Sequence, residues 1–238
     1  MKVLVAIPTY DGNNNYGVTK RILDAGRRDL TITFTSRQSS FLTLGFNEFW
    51  CMALNDRRYD YLVMLHADLP PNTDRWVSML IKTCESVHAD VLSVVSPLKM
   101  ETGATSTALT RERVFGHHRR LTLKEVYKLP ETFNAEHAAK LFGWSGDTTL
   151  LVNTGCMVVS MKKRATLETM LFTTNNWIFK DPDGKFRAVS EAEDWNWSVQ
   201  AKDRGLSVWA TRAIPLVHVG TKEYSNESAW GDEHDEGF

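Results

Sequence analysis

Short apolar runs alternate with amphipathic stretches through the first hundred residues of the chain. Runs rich in aliphatic and β-branched residues predict strands, and apolar positions spaced three and four apart predict helices. The predicted strands are Lys2–Ile7, Thr31–Thr35, Asp60–Leu65 and Asp90–Val95, and the predicted helices lie near Tyr16–Arg28, Leu42–Asn55 and Thr73–His88. This β-α alternation predicts a parallel sheet that is covered by helices on both faces.

The second half of the chain has a different pattern. Residues Leu98–Pro130 are polar and basic, and they predict an insertion or a loop region without a clear strand. Ser190 and Glu193 have capping-box spacing, which predicts a helix that Gly205 ends. The remaining predictions are helices near Thr132–Phe142, Lys162–Met170 and Ser190–Arg204, strands at Thr149–Val152, Cys156–Ser160, Ser207–Ala210 and Ile214–Val219, and a hairpin turn at Asp181–Gly184.

Composition adds limits to this picture. The chain has 238 residues, 28 basic and 29 acidic side chains and 42% hydrophobic residues, as expected of one globular unit rather than a disordered chain. Three cysteines at wide spacing favour neither a disulfide framework nor a zinc site. No run approaches the ~18 apolar residues of a membrane span. We therefore expect a protein without a membrane partner, in the cytoplasm, or in a host's cytoplasm if a phage encodes it.

Two local features depart from this average composition. The segment Arg111–Arg120 is densely basic, whereas the tail after Thr221 is acidic. The chain also has 8 tryptophans, which either fill a core or form a surface that stacks on planar or sugar ligands.

The strongest chemical signal follows the predicted strand Asp60–Leu65. Ligands of open α/β sheets bind at the carboxyl ends of the strands, where His66 and Asp68 lie. Two residues separated by one point to the same side of an extended segment, so this pair could hold a divalent cation. In the alternative interpretation, Asp68 only caps the proline-rich turn that follows.

Three later motifs also carry candidate chemistry. Asp194, in the first turn of a predicted helix, is either a general base or an ordinary partner of the helix dipole. His218 ends an apolar strand and is either a metal ligand or structural. Asn153–Cys156 predicts a close backbone approach to a ligand, or a bulge. Absence of P-loop, GxGxxG, HExxH and GxSxG motifs disfavours kinases, dehydrogenases, zincins and α/β-hydrolases.

The order of these motifs is more specific than any one of them. It resembles the GT-A class of nucleotide-sugar glycosyltransferases, family-2-like, over about residues 1–220. The motifs that carry the resemblance are Ile7-Pro8-Thr9-Tyr10, Phe46-Asn47, His66-Ala67-Asp68, Gly155-Cys156, Glu193-Asp194-Trp195 and His218.

The resemblance implies an α/β fold of the GT-A type. A Rossmann-like nucleotide-binding half, residues 1–97, would join an acceptor half, residues 98–220, on one continuous mixed sheet. Residues 221–238 would form an acidic, mobile tail. The oligomeric state stays open.

The same resemblance implies roles for single residues. Mn²⁺ or Mg²⁺ would be held by Asp68 and His218, and Asp194 would be the base if the enzyme inverts, but not if it retains. Arg37 would replace the donor-positioning arginine that many members have where Phe46 stands. The implied donor contacts are Pro8, Thr9, Tyr10, Arg37, Asn47, His66, Ala67, Asp68 and Gly155, and the candidate acceptor contacts are Trp144, Trp177, Glu193 and Trp195.

The implied reaction transfers a sugar from a nucleotide sugar, with a UDP-sugar favoured, to an acceptor hydroxyl. The acceptor is a glycan, a small molecule or a hydroxymethylated DNA base, for which the basic segment Arg111–Arg120 would supply phosphate contacts. The same segment could instead be a lid over the diphosphate. In the structural interpretation it is a solvated surface, and the tryptophans, Trp197 among them, belong to the core. A non-catalytic nucleotide-sugar-binding module on the same fold is the second hypothesis. A nucleotidyltransferase is the third hypothesis. The chain lacks the glycine-rich phosphate loop that this class usually has.

Overall fold

The computed structural model describes residues 1–23, 30–111 and 118–231, with only the backbone of Leu23. Its helices are α1 (Tyr16–Leu23), α2 (Leu42–Asn55), α3 (Trp76–Ser86), α4 (Leu123–Val126), α5 (Ala135–Leu141), α6 (Arg164–Leu167) and α7 (Glu193–Asp203). Its strands are β1 (Lys2–Thr9), β2 (Thr31–Gln38), β3 (Tyr61–Leu65), β4 (Val91–Val94), β5 (Ala104–Thr110), β6 (His118–Thr122), β7 (Thr132–Asn134), β8 (Thr149–Leu151), β9 (Cys156–Ser160), β10 (Asn175–Lys180), β11 (Phe186–Glu191), β12 (Val208–Thr211), β13 (Val217–Val219) and β14 (Glu223–Ser225). The end predicted for the first helix, Arg28, lies outside the described residues.

A seven-stranded mixed sheet organises the chain, with the strand order β2-β1-β3-β9-β4-β12-β7. The neighbours β2, β1 and β3 are parallel, as are β4 and β12. Strand β9 runs antiparallel between β3 and β4, and β7 runs antiparallel to β12. The predicted α/β fold class, with a Rossmann-like half on a continuous mixed sheet, is confirmed.

Burial on both faces explains why the strand sequences read as continuous apolar runs. In β1, Val3, Val5 and Ile7 pack into one cluster, which also contains Trp76 and the other buried residues of α3. The alternate positions Leu4 and Ala6 pack into a second cluster together with Phe46, Phe49 and Trp50 of α2. Successive side chains of a strand point to opposite faces, so a central strand needs apolar residues at every position.

The expectation of a loop region at Leu98–Pro130 is wrong. Residues 104–110 and 118–122 form β5 and β6, which join β8 in an antiparallel sheet of order β6-β5-β8. The strand β5 contains several threonines and therefore reads as polar, yet Thr105 and Thr107 are completely buried. The Thr105 hydroxyl donates to the carbonyl oxygen of Leu121 at 2.8 Å. A β-branched residue whose hydroxyl is satisfied in this way fits a buried strand.

Several boundaries in the second half differ from the predictions. The segment predicted as one helix at Thr132–Phe142 is split into β7 and α5, and Asn134 forms a capping box with His137. The predicted helix Lys162–Met170 is a 3₁₀ turn at Met161–Lys163 followed by α6. The hairpin turn at Asp181–Gly184 is confirmed, because it joins β10 to β11.

The predicted capping box at the start of the last long helix is also wrong. Ser190 lies inside β11, where it pairs with Asn176 of β10. The helix begins at Glu193, and Ala192 offers no side-chain cap. The hairpin register decides this outcome, because a residue held in a strand ladder cannot also turn into a helix.

Part of the predicted mobile tail packs against the body of the protein. Residues 223–225 form β14, which pairs antiparallel with β13. The buried Asn226 side chain accepts from the Leu216 amide at 2.9 Å and donates to the carbonyl oxygens of Val95 (3.0 Å) and Ile214 (3.2 Å). Residues 232–238 of that predicted tail lie outside the described residues.

Across the described ranges, no helix has both the length and the apolar character that crossing a bilayer requires. The boundary between a nucleotide-binding half and an acceptor half at residue 97 stays a prediction.

Asn226→Ala tests the attachment of the tail to the sheet. The change leaves a buried amide and two buried carbonyl groups without their partners, so the free energy of unfolding should fall by about 3 kcal/mol. Urea denaturation followed by circular dichroism measures it. The exposed neighbour Glu223→Ala should change stability by less than about 0.5 kcal/mol, and equal effects of the two variants would contradict this role of Asn226.

Candidate functional site

A cavity of about 620 Å³ lies at the carboxyl ends of β1, β2 and β3. This is where parallel strands of α/β proteins present ligand-binding loops. Six of the predicted donor contacts line it, namely Pro8, Thr9, Tyr10, His66, Ala67 and Asp68. The remaining lining residues are Asp11, Asn13, Asn14, Asn15, Ser39, Ser40, Leu42 and Val219.

Hydrogen bonds hold the loop after β1 against the loop after β3. The Asn15 amide of the first loop donates to the Ala67 carbonyl oxygen of the second at 2.8 Å. Within the loop after β1, the Gly12 amide donates to the Thr9 hydroxyl at 3.1 Å. In the part of the chain that the structure describes, the buried Asn14 Oδ1 accepts no hydrogen bond. A buried acceptor without a donor is unfavourable, so this oxygen would gain from a ligand N–H or O–H group.

Asp68 and His218 meet at one edge of this cavity. Strand β13 runs beside the loop after β3, with the Val219 amide donating to the Asp68 carbonyl oxygen at 2.9 Å. This pairing brings His218 Nε2 to 3.5 Å from Asp68 Oδ2. His218 Nδ1 lies 2.8 Å from the carbonyl oxygen of Pro97. A carbonyl only accepts, so Nδ1 carries the proton and Nε2 is directed at Asp68.

A lysine completes this contact. Lys99 Nζ donates to Asp68 Oδ2 at 2.5 Å. Burial alone would raise the pKa of the Asp68 carboxyl, but His218 and Lys99 outweigh that effect and lower the pKa below its ordinary value. Asp68 is therefore an anion at neutral pH.

His66 has a different environment from Asp68. Its Nε2 lies 3.1 Å from the hydroxyl of Thr154, and its ring stacks on Phe46 with 5.7 Å between the ring centroids. Burial lowers the pKa of the His66 imidazole to about 4. The ring is neutral at physiological pH, and its Nε2 is occupied by Thr154 rather than directed at Asp68.

Gly155 lies where two loops approach closely. A Cβ atom on Gly155 would come within 2.4 Å of Leu69 Cδ1 and 2.7 Å of Asn153 Oδ1. Its carbonyl oxygen accepts from the His66 amide at 2.8 Å. Gly155 therefore supports the segment that carries His66 and Asp68, and it does not line the cavity.

Asp194 lies at the amino end of α7, which adjoins the loop that carries Gly155. Ser198 Oγ accepts from the Val152 amide at 3.0 Å and donates to the Asp194 carbonyl oxygen at 2.8 Å. Burial, and next the adjacent Glu193, raise the pKa of the Asp194 carboxyl to about 7, although the Trp195 amide donates to it. Burial also raises the pKa of Glu193. Asp194 thus has the proton affinity of a general base, but it does not line the cavity that contains Asp68.

Two predicted donor contacts have other partners. The Asn47 side chain donates to the Phe172 carbonyl oxygen and accepts from the Phe172 amide, both at 2.8 Å. Arg37 forms an ion pair with Glu48 of α2. Neither Asn47 nor Arg37 lines the cavity.

The candidate acceptor tryptophans are dispersed. Trp195 is 6% exposed and packs against Ala108 and Leu151, whereas Trp177 is 42% exposed on β10. Trp197 belongs to the core, where its ring stacks on Phe172. Trp144 lines a second cavity, of about 460 Å³, between α5 and β12, which no predicted donor contact lines. The cavity at the carboxyl ends of β1, β2 and β3 is therefore the better candidate site, because Asp68 lies in it.

The described arginines of the basic segment lie against aromatic rings. The guanidinium carbons of Arg111, Arg119 and Arg120 are 4.4, 3.7 and 4.3 Å from the ring centres of Trp144, Phe142 and Trp195, respectively. Arg119 also pairs with Glu125 at 2.8 Å. The intervening residues 112–117 lie outside the described residues, so a lid or a DNA-binding role of this segment stays a prediction.

Sequence reasoning missed several residues of the site. The run Asn13-Asn14-Asn15 follows the first strand, and its position at a carboxyl end was a usable signal. Ser39 and Ser40 have the same relation to β2. Lys99 had no such signal, because it follows β4 without any motif.

Asn47→Ala separates a structural role from a donor-binding role. The change removes both hydrogen bonds to Phe172, so unfolding should become easier by about 2 kcal/mol, as measured by urea denaturation. The affinity for any nucleotide that binds should stay unchanged in isothermal titration calorimetry. Lost nucleotide affinity in a variant of unchanged stability would restore Asn47 to the donor site.

The raised pKa of Asp194 predicts a pH-dependent effect on stability. The folded state favours the protonated carboxyl, so stability is lost as the pH rises through the folded pKa of about 7. Asp194→Asn removes this loss, and its Tm should exceed that of the unmodified protein by a margin that grows from pH 4.5 to pH 8. Differential scanning fluorimetry measures the margin, with the exposed Asp183→Asn as control. A margin independent of pH would show that the pKa of Asp194 is not raised.

Comparisons with known proteins place the fold but no family. No family model and no curated protein matches the chain. Among solved structures, A197 from STIV is similar over 98% of this chain and 96% of its own, with a TM-score of 0.54 at 14% identity. S. aureus TarS 1-349 (TM-score 0.39, 13% identity, 90% of this chain and 58% of its own) and apo UDP-glucose pyrophosphorylase (0.37, 6%, 94% and 75%) are more distant. At these identities, the likeness to A197 shows a shared fold.

Proposed function

We propose that this chain is a metal-dependent glycosyltransferase, which moves a sugar from a nucleotide sugar, UDP-linked by preference, to an acceptor hydroxyl. The observation that carries the proposal is the Asp68–His218 pair at the edge of the 620 Å³ cavity.

The donor atoms of this pair suit Mn²⁺, and the Asp68 carboxylate by itself also suits Mg²⁺. Bonds of about 2.1 Å to one ion place two ligand atoms roughly 3 Å apart, and the observed 3.5 Å between Asp68 Oδ2 and His218 Nε2 is near that distance. Among the described residues there is no group of three or more His, Cys, Asp or Glu side chains arranged for a metal. A site with only these two protein ligands fits an ion whose other coordination positions are taken by substrate phosphates and water.

The rest of the cavity suits a nucleotide. Its walls are the loops after three parallel strands, and they combine Pro8 and Tyr10 with many amide and hydroxyl groups. The unpartnered Asn14 Oδ1 offers an acceptor for a base N–H or a ribose hydroxyl. The diphosphate of a nucleotide bound in this way would reach the edge where Asp68 lies.

The chemistry proposed for the chain's own residues is an inverting displacement. Asp194 accepts the proton of the acceptor hydroxyl while that oxygen bonds to the anomeric carbon. The bond from this carbon to the diphosphate oxygen breaks, and the nucleoside diphosphate leaves with the electron pair. A bound cation would offset the charge that develops on this leaving group. The pKa of about 7 lets Asp194 take up the proton near neutral pH.

The acceptor would enter on the side of α7. Glu191, at the end of β11, accepts from Asn175 of β10 and from Asn196 of α7, each at 3.0 Å. These bonds fix the β10–β11 hairpin next to the helix that carries Asp194. Trp177 on this hairpin is exposed and is therefore a better candidate acceptor contact than the buried Trp195. Glycans, small alcohols and hydroxymethylated DNA are the acceptors to be tested.

Asp68→Asn and Asp194→Asn test binding and turnover separately. UDP-, GDP-, CMP- and dTDP-sugars are screened by thermal shift with and without Mn²⁺, and hydrolysis or transfer is followed by nucleotide release. We expect one donor to raise the Tm in the presence of Mn²⁺, and Asp68→Asn to abolish that rise. Asp194→Asn should bind the donor normally and lose turnover by roughly 10²- to 10⁴-fold.

The exposed Asp183→Asn is the matched control and should retain both binding and turnover. No Tm rise with any nucleotide sugar would refute the proposal. Binding without turnover in the unmodified protein, across all acceptors, would instead support the alternative of a non-catalytic nucleotide-sugar-binding module.

A further inference from the structure

Lys99 is held at the edge of the candidate donor site by the backbone around it. The Leu98 amide donates to the Ala104 carbonyl oxygen at 2.8 Å, which closes the loop between β4 and β5. Within this loop, Glu101 forms an ion pair with Lys222. The stem of Lys99 lies against Gly220, where an added Cβ would come within 3.0 Å of Lys99 Cδ. The lysine is therefore directed to Asp68 by its surroundings.

The ammonium group of Lys99 and a divalent cation compete for the same oxygen atom. Lys99 Nζ lies 2.5 Å from Asp68 Oδ2, which is the oxygen that faces His218 Nε2. A cation bound between Asp68 and His218 would be within a few ångströms of this ammonium, and like charges at that distance repel. Lys99 must leave Asp68 before the ion can bind there.

The displaced lysine has both freedom and a new partner nearby. Its side chain is 38% exposed, so it can move without disrupting the core. An ammonium on a flexible stem is a common ligand of phosphate groups. A diphosphate that enters the cavity next to Asp68 would offer Lys99 a stronger negative partner than the single carboxylate that it gives up.

We propose that Lys99 is an exchangeable counter-cation, which neutralises Asp68 in the empty site and moves to the diphosphate when a divalent cation takes its place. This inference rests on the proposed function. It makes the cation and the nucleotide mutually dependent, because each removes an obstacle to the other. The bare protein binds Mn²⁺ weakly, and nucleoside diphosphate tightens that binding, with the reciprocal effect that linkage requires.

Lys99→Met tests this coupling directly and without turnover. Free Mn²⁺ is measured by electron paramagnetic resonance during titration of the protein, with and without UDP, and UDP binding is measured by calorimetry. Without UDP, the variant should bind Mn²⁺ about tenfold more tightly than the unmodified protein. With saturating Mn²⁺, it should bind UDP about tenfold more weakly. Because UDP affinity without Mn²⁺ should stay about the same, the coupling between the two ligands should fall by about tenfold.

Two other variants serve as controls. Lys222→Met removes a neighbouring positive charge that pairs with Glu101 and not with Asp68, so both affinities should stay within about twofold of the unmodified protein. Lys99→Arg keeps the charge and should retain weak Mn²⁺ binding without UDP.

Unchanged Mn²⁺ affinity in Lys99→Met would overturn the inference. It would also be overturned if UDP bound equally well without Mn²⁺ and lost that affinity in Lys99→Met, because Lys99 would then be the permanent cation of the site. The proposed function fails by another result, the absence of any nucleotide binding in the unmodified protein, so the two failures can be told apart.

Discussion

The reversed strand β9 is the constraint on which the candidate site depends. It pairs antiparallel with β3, and its first residue, Cys156, lies opposite Leu65. The loop that precedes β9 therefore lies at the carboxyl end of β3, next to His66. The Asn153 side chain fixes this loop by donating to the Val94 carbonyl oxygen and accepting from the Gly155 amide. Because Val152 also contacts α7 through Ser198, one reversed strand connects the cavity side of the sheet with the helix of Asp194.

The carboxyl groups of Asp68 and Asp194 have pKa values that are shifted in opposite directions. Asp194 is held where burial raises the pKa of its carboxyl, so its ionised form opposes folding at neutral pH. Asp68 is kept ionised by His218 and Lys99, which are drawn from distant parts of the chain. Pairs of titratable groups whose environments push their pKa values apart are typical of active sites. In the proposed function, Asp194 would be the proton acceptor and Asp68 the anion that holds the cation.

Much of the fold could be predicted from residue patterns, and the exceptions have physical causes. The strands β1 and β3 and the helix α2 were predicted within a few residues, because burial of a central strand or of a helix face requires a recognisable apolar period. The strand β5 was missed because buried threonines read as polar. The start of α7 was misplaced because the pairing of Ser190 with Asn176 across a hairpin outweighed a local capping pattern.

The sequence by itself determined the α/β class and the position of Asp68 after a buried strand, because both depend on the local order of apolar and polar residues. It also determined that an aspartate follows Glu193 at the start of a helix. Only the tertiary structure decided that Asp68 meets Lys99 and His218, and that the Asn47 amide serves the backbone of Phe172. These contacts join residues that are remote along the chain. The order of the strands in the sheet and the pairing of β13 with the loop after β3 decide which residues meet, and no local sequence pattern encodes either.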